Sequence, residues 1–245
     1  NELCKKHEVT LFMFLETAFA SLLSHYSQVK DIAIGTAVAG RMHRDIEPLI
    51  GFFVNSLVIR TDFSDKVTFS ELLKKNKQTI LDAYAHQDLP FEMLVKDICL
   101  ERRLNYNPIF QIAFIMQNNE RDPDLESTDI LSLQERPIMD ARLDMEVHAH
   151  EENEVLSIFW VYNTELFDAG TIERLAVNYN TLLIGIVDSM RADCHKQQCI
   201  QEISFLSEAE RHVLLHDLQS PNKKFHSKQC FHELFEEQVK KNPDQ

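Results

Sequence analysis

Glycine and proline are scarce, 5 and 7 residues out of 245, about 5% together where roughly 12% is usual. That scarcity excludes collagen-like repeats and glycine-rich phosphate loops. Neither a Walker loop, a Rossmann glycine pattern nor a Gly-x-Ser-x-Gly elbow occurs. Basic residues are outnumbered, 25 against 39 acidic ones, for a formal net charge of −14. A binder of duplex DNA or RNA needs Lys and Arg to meet phosphates, so nucleic acid is not an expected partner. No apolar run approaches the ~18 residues of a membrane span and no signal peptide is visible, so no membrane association is expected. The cysteines are five, Cys4, Cys99, Cys194, Cys199 and Cys230. An odd number suits reduced thiols in the cytoplasm better than a disulfide framework.

Hydrophobic content of 44% and charged content of 26% are those of a globular chain, with length for one large domain or two small ones. Between Glu120 and Glu154, twelve acidic residues against three basic ones account for −9 of the charge, which reads as a solvated face or loop. The chain starts at Asn1 and ends at Asn242-Pro243-Asp244-Gln245 with no closing element, as a piece of a longer polypeptide would.

Apolar spacing from Thr10 to Tyr26 predicts a largely buried helix with Thr10 as N-cap. Asp31 to Ala39 reads as an interior strand, and Phe52 to Phe63, rich in β-branched and aromatic residues, as a second. Thr68-Phe69-Ser70-Glu71 is a capping box that opens a helix through about Tyr84. A short helix over Pro90 to Ile98 follows Asp88 as its cap. Phe110 to Met116 predicts a strand. Leu143 to Ala149 predicts a half-exposed one, with Glu146, His148 and His150 outward, pairing as a hairpin with Val155 to Tyr162. A long helix follows Asp168, a short one is capped by Ser207, and another starts at Cys230. The order predicts an α/β layered domain with a mixed sheet flanked by helices.

Metal ligation is a poor fit to the residues. His148 and His150 share a strand face but lack a third ligand at a characteristic spacing, and Cys194, His195 and Cys199 lack a second Cys or His pair. No metal or cofactor is expected to be held by this chain. Two stretches place polar groups where a cleft or a hydrogen-bond network must receive them. In His86-Gln87-Asp88-Leu89-Pro90-Phe91-Glu92 they lie at a helix junction, and in Ile50-Gly51-Phe52-Phe53-Val54-Asn55 an Asn sits inside an apolar strand. The first also reads as a plain capped helix start.

At these residues the chain resembles the condensation domains of nonribosomal peptide synthetases. The resemblance is carried by Ile50 to Ser56 with Arg60, by His86 to Glu92 and by Asn107-Pro108-Ile109-Phe110-Gln111. Val9 to Phe12, Gly35 to Arg41 and Tyr162 to Asp168 add to it. Phe231 to Gln238 with Asn242-Pro243-Asp244 resembles the opening of an adenylation domain. The family's condensing motif, two adjacent histidines followed three residues later by Asp-Gly, is missing: none of the 11 histidines is adjacent to another and no Asp-Gly occurs. That motif belongs to the family domain's N-terminal half.

The resemblance therefore implies one lobe of a chloramphenicol-acetyltransferase-like fold. Residues 1–206 would be the C-terminal lobe of a condensation domain, 207–229 a linker and 230–245 the start of an adenylation domain. It implies that Asn55, His86, Gln87, Asp88, Arg41 and Arg60 serve as substrate-tunnel or lobe-contact residues. Its partners would be the N-terminal lobe, the adenylation domain, and carrier proteins whose phosphopantetheine arms bring two thioesters for amide formation. Arg103 and Tyr106 depart from the family's pattern. On this reading the chain alone is catalytically silent. A carrier- or lobe-binding module, and a coenzyme-A-dependent acyltransferase of the same fold, are the rival readings.

Overall fold

Most regular elements of the chain can be traced to a local cause and a packing partner. The computed structural model describes residues 1–41, 44–46, 49–98, 107–117, 141–152, 155–192, 197–218 and 230–241. Cys99, Arg103, Tyr106, Cys194, His195, residues 219–229 and most of the acidic run from Glu120 to Glu154 lie outside them. The chain divides into two units, Asn1–Phe205 and Leu206–Gln245.

In the first unit a short helix α1 (Glu2–Lys6) precedes α2 (Leu11–Ser27), where the Thr10 hydroxyl accepts the Met13 amide at 3.2 Å. Helix α2 is buried from Phe12 through Leu22, as its continuous apolar spacing predicts. It leads into β1 (Asp31–Val38), which pairs antiparallel with β2 (Asn55–Asp62). Helix α3 (Phe69–Ala85) opens on the predicted capping box: the Glu71 amide donates to Thr68 Oγ1 while Glu71 Oε2 accepts from the Thr68 amide. Then come α4 (Phe91–Ile98), β3 (Ile112–Gln117), β4 (Met145–Glu152), β5 (Val155–Tyr162) and α5 (Ala169–Arg191).

The sheet is mixed, in the order β2-β1-β3-β4-β5, with β3 parallel to both β1 and β4 and the outer pairs antiparallel. Its register sorts the side chains. Ile34, Ile59, Phe114, Val147 and Ala149 join a core with α2, α3 and α5. Phe19 at the centre of α2 is wholly buried and meets Phe114, Trp160 and Tyr179, with ring centroids 5.6, 5.8 and 5.8 Å away. One polar network sits inside this layer. Asn76 of α3 donates to Glu16 Oε2 (2.7 Å) and to Thr17 Oγ1 (2.8 Å) of α2, and accepts from Thr61 Oγ1 of β2 (3.1 Å). Glu16 is 0% exposed, and burial pushes its carboxyl up to about 8 against the opposing hydrogen bond from Asn76.

Several boundaries differ from expectation. Strand β2 starts at Asn55 rather than Phe52, because β1 ends opposite Asn55 and the preceding residues have no strand to pair with. Phe52 is 92% exposed in spite of its β propensity. Strand β3 starts two residues late, at Ile112, because Phe110 turns out of line. Helix α4 starts at Phe91; Pro90 supplies the carbonyl to the Met93 and Leu94 amides and so occupies the cap position itself, with no described bond from the Asp88 side chain. Asp168 is the N-cap of α5 by position but makes no side-chain cap bond. Strand β4 is interior, not half-exposed: Glu146 and His148 are 7% and 6% exposed, flanked in register by Ala113 and Ile115 on β3 and by Val161 and Phe159 on β5.

In the second unit α6 (Glu208–His212) is capped by Ser207, whose hydroxyl accepts the Glu210 amide, and passes into a π-helical turn at Val213–Asp217. Helix α7 (Phe231–Lys241) begins after Cys230, as the sequence predicts. Among the described residues no helix is long and apolar enough to cross a membrane.

Candidate functional site

Helices α2, α3 and α5 pack on one face of the sheet. On the other face, near the β1–β2 hairpin and the α3–α4 junction, lies an open cleft of about 660 Å³. Its floor exists because residue 35 is glycine. A Cβ there would stand 2.1 Å from a ring carbon of Phe110, so only a glycine lets that ring lie flat on β1. Phe110 reaches this place through a tight turn in which its amide donates to the Pro108 carbonyl at 3.0 Å across Ile109. Ile109 has φ of 74°, a costly conformation for a β-branched residue. Such strain persists only where the surroundings enforce it. Here Phe110 is 5% exposed and packs against Phe91 of α4, the rings tilted at 58° with centroids 5.4 Å apart.

Asn55 ties the mouth of the cleft together. Its Nδ2 donates to the carbonyls of Gln87 (2.7 Å) and Leu89 (2.8 Å), and its Oδ1 accepts the amides of Ser56 (2.9 Å) and Phe91 (3.2 Å). One carboxamide thus locks the first residue of β2 to both ends of the α3–α4 junction, which is why an Asn stands in an otherwise apolar run. Replacing Asn55 by Ala is expected to cost about 2 kcal/mol by leaving these groups partly buried and unmet, and to speed amide exchange at Leu89 and Phe91. Asn55→Asp should fare no better, since it aims carboxylate oxygen at two carbonyls. Thermal melting and hydrogen exchange check both.

The other sequence-predicted residues divide. Gln87, half-buried and held through Nε2 by the Tyr84 carbonyl (2.9 Å), lines the cleft, as does exposed Asp88. His86 is exposed at the C-cap of α3 and does not line it. Arg41 holds the following loop, donating to the carbonyls of Ile46 (2.6 Å) and Leu49 (2.7 Å), and lies over the Phe53 ring at 4.5 Å. It backs the cleft without lining it. The turn behind it requires Gly40 at φ 64°, where a Cβ would strike the Phe53 carbonyl oxygen. Arg60 stands apart from the cleft, at the opposite end of the hairpin, in a two-pronged ion pair with exposed Asp31 (2.6 Å). The hydrogen bond from Arg60 holds the Asp31 carboxyl below the usual range.

Sequence reasoning missed the cleft's far wall, formed by Ala113 and Ile115 of β3 and by Arg142 and Glu146 at the start of β4. Glu146 Oε1 accepts the Arg142 amide at 3.1 Å, and Oε2 lies 3.4 Å from His148 Nε2. The lone strand glycine at 35 was the available signal that another ring approaches the backbone there. Among the described residues no histidine lines the cleft and no group of His, Cys, Asp and Glu could hold a metal. What the site offers is shape, a carboxamide-fixed mouth and an acidic lining. Those features suit positioning of a ligand.

Comparisons with known proteins agree with one another. The family model described as "Condensation domain" matches residues 1–215. Tyrocidine synthase 3 of Brevibacillus parabrevis is 37% identical over 246 residues, which cover 100% of this chain and 4% of that protein. Malpinin synthetase of Mortierella alpina is 39% identical over 247 residues, 99% of this chain and 3% of that one. The chain thus spans a small part of the curated relatives it matches. A holo four-domain nonribosomal peptide synthetase, bound to AMP and glycine, superposes with a TM-score of 0.74 at 22% identity, over 100% of this chain and 19% of that one. The X-domain from teicoplanin biosynthesis gives 0.66 at 22% identity, over 83% of this chain and 46% of that one.

Proposed function

The chain belongs to the condensation-domain family, and from that premise we propose that it is the C-terminal, acceptor-side half of a domain that joins two carrier-bound thioesters through an amide bond. In this reading residues 1–206 are one wall of the reaction chamber, 207–229 the linker and 230–245 the start of an adenylation domain. The acceptor's amine attacks the donor's thioester carbonyl, the C–N bond forms, and the donor's phosphopantetheine thiol leaves with a proton. Alignment of the two arms is the main service this wall supplies, since holding reactants in place removes much of the entropic barrier. Asn55 and Gln87 keep the mouth in shape, Asp88 lines it, and Arg41 braces it from behind. The partners are the N-terminal lobe with its paired histidines, carrier proteins bearing phosphopantetheine, and the adenylation domain, all in the cytoplasm.

The observation that supports this best is the unequal helical cover: among the described residues α2, α3 and α5 lie on one face of the sheet, and the other carries the cleft with only the short α4 at its edge. Next to it Leu49, Ile50, Phe52 and Val54 stand 49%, 105%, 92% and 49% exposed. A run of large apolar side chains in water favours association with a partner.

Incubated with two carrier-bound thioesters, this chain is expected to yield no amide. Adding a separately produced lobe that carries the paired histidines should restore product, read by mass spectrometry of the acceptor carrier. Amide formation by the chain alone would overturn the proposal.

A further inference from the structure

Glu146 is a polar group in the cleft wall to which the scheme above gives no role. It is 7% exposed and lines the cleft from the face of β4 opposite Val147. In register it stands between Ala113 and Val161, neither of which can donate a hydrogen bond from its side chain. One oxygen accepts the Arg142 amide; among the described residues the other has only the His148 ring, 3.4 Å away. That ring is itself buried, and neither of its nitrogens has a hydrogen-bond partner among the described residues. A carboxyl group has about four acceptor positions, and Oε2, which is not sealed off from the cleft, keeps some of its own open to a donor there.

The surrounding charge states which donor would fit. Asp88 and Glu92 also line the cleft, against the single cation Arg142 among the described residues. A concave surface with that balance draws cations and repels anions. A primary amine brings two N–H donors in a compact head, and three once protonated, and Ala113 beside Glu146 leaves room for it.

We infer that Glu146 is the binding residue for the amine of the acceptor, holding its nitrogen in this wall; the inference rests on the reading of the cleft as the acceptor's chamber. Glu146 acts by holding and orienting the nitrogen; an ammonium held there gives up one proton before it attacks and a second as the amide forms, and neither is assigned to Glu146.

The test uses the whole chain and two probes: pantetheine carrying alanine through a stable amide in place of the thioester, and the same compound with its amine acetylated. Titration followed by ¹H–¹⁵N resonances should show the free amine binding about tenfold or more tighter, the range of a charge-assisted hydrogen bond, with shifts centred on Glu146 and Ala113. In Glu146→Gln, which retains an oxygen for the Arg142 amide, the preference should fall to near parity while the acetylated probe binds as before and the melting temperature holds. Parity in the parent chain, or an undiminished preference in Glu146→Gln, overturns the assignment and leaves the chamber reading standing. Failure of both probes to shift any cleft resonance overturns the chamber reading together with it.

Discussion

Replacing Glu16 by glutamine is expected to stabilise the chain by several kcal/mol at pH 8 and by little at pH 4. The direction follows from proton uptake. Glu16 is fully buried, and its carboxyl is raised from an ordinary value of 4.5 to about 8. Between those values the folded chain keeps a proton that the unfolded chain has released, so each rise in pH favours the unfolded state. Below 4.5 both states hold the proton and nothing is lost; above about 8 both have released it and the penalty is constant. At about 1.4 kcal/mol per pH unit the interval accumulates on the order of 5 kcal/mol, a large share of the 5–15 kcal/mol typical of a domain. Glutamine cannot ionise, and its carbonyl can still accept from Asn76 Nδ2. Urea midpoints for parent and variant at pH 4, 6 and 8 give the difference directly. A difference that does not change with pH would contradict the assignment.

Phe19→Ala is expected to cost about 3–5 kcal/mol, the range for truncating a buried aromatic. The reason is position as much as size. The ring is the common neighbour of Phe114 on β3, Trp160 on β5 and Tyr179 on α5, so its loss opens a cavity shared by three elements. Phe19→Leu refills most of that volume and should recover more than half of the loss. Denaturant melts check the order, and the Trp160 fluorescence of the folded state should shift in the alanine variant.

The elements written in local chemistry are legible in the sequence. Thr10 and the Thr68–Glu71 box announce helix starts whose bonds are present as expected, and the mixed sheet follows from the alternation of strand and helix patterns. Asn55 stands out because a carboxamide in an apolar run must find partners, and it finds them at the α3–α4 junction formed by the histidine-containing stretch. What is not legible depends on neighbours distant in sequence. Phe52 to Val54 have strand-forming side chains but no strand to pair with. The alternation at Glu146 and His148 matches a half-exposed strand; only the insertion of β4 between β3 and β5 makes both residues interior. Arg60, carried in by resemblance, is engaged across the hairpin with Asp31, a pairing no single stretch of sequence reveals.

The meeting of Phe19 with Trp160 and Tyr179 also bears on how the chain reaches its native state during translation. Helix α2 leaves the ribosome early, whereas β5 and α5, which complete its surroundings, are made near the end of the unit. Parallel pairing of β1 with β3 and of β3 with β4 adds two more long closures, which are slow because chain entropy is lost before contacts repay it. The apolar flank of the first long helix must therefore wait, exposed to chaperones and to neighbouring nascent chains, until Arg191 has emerged. A stop codon before then leaves that flank without the Trp160 and Tyr179 rings that cover it.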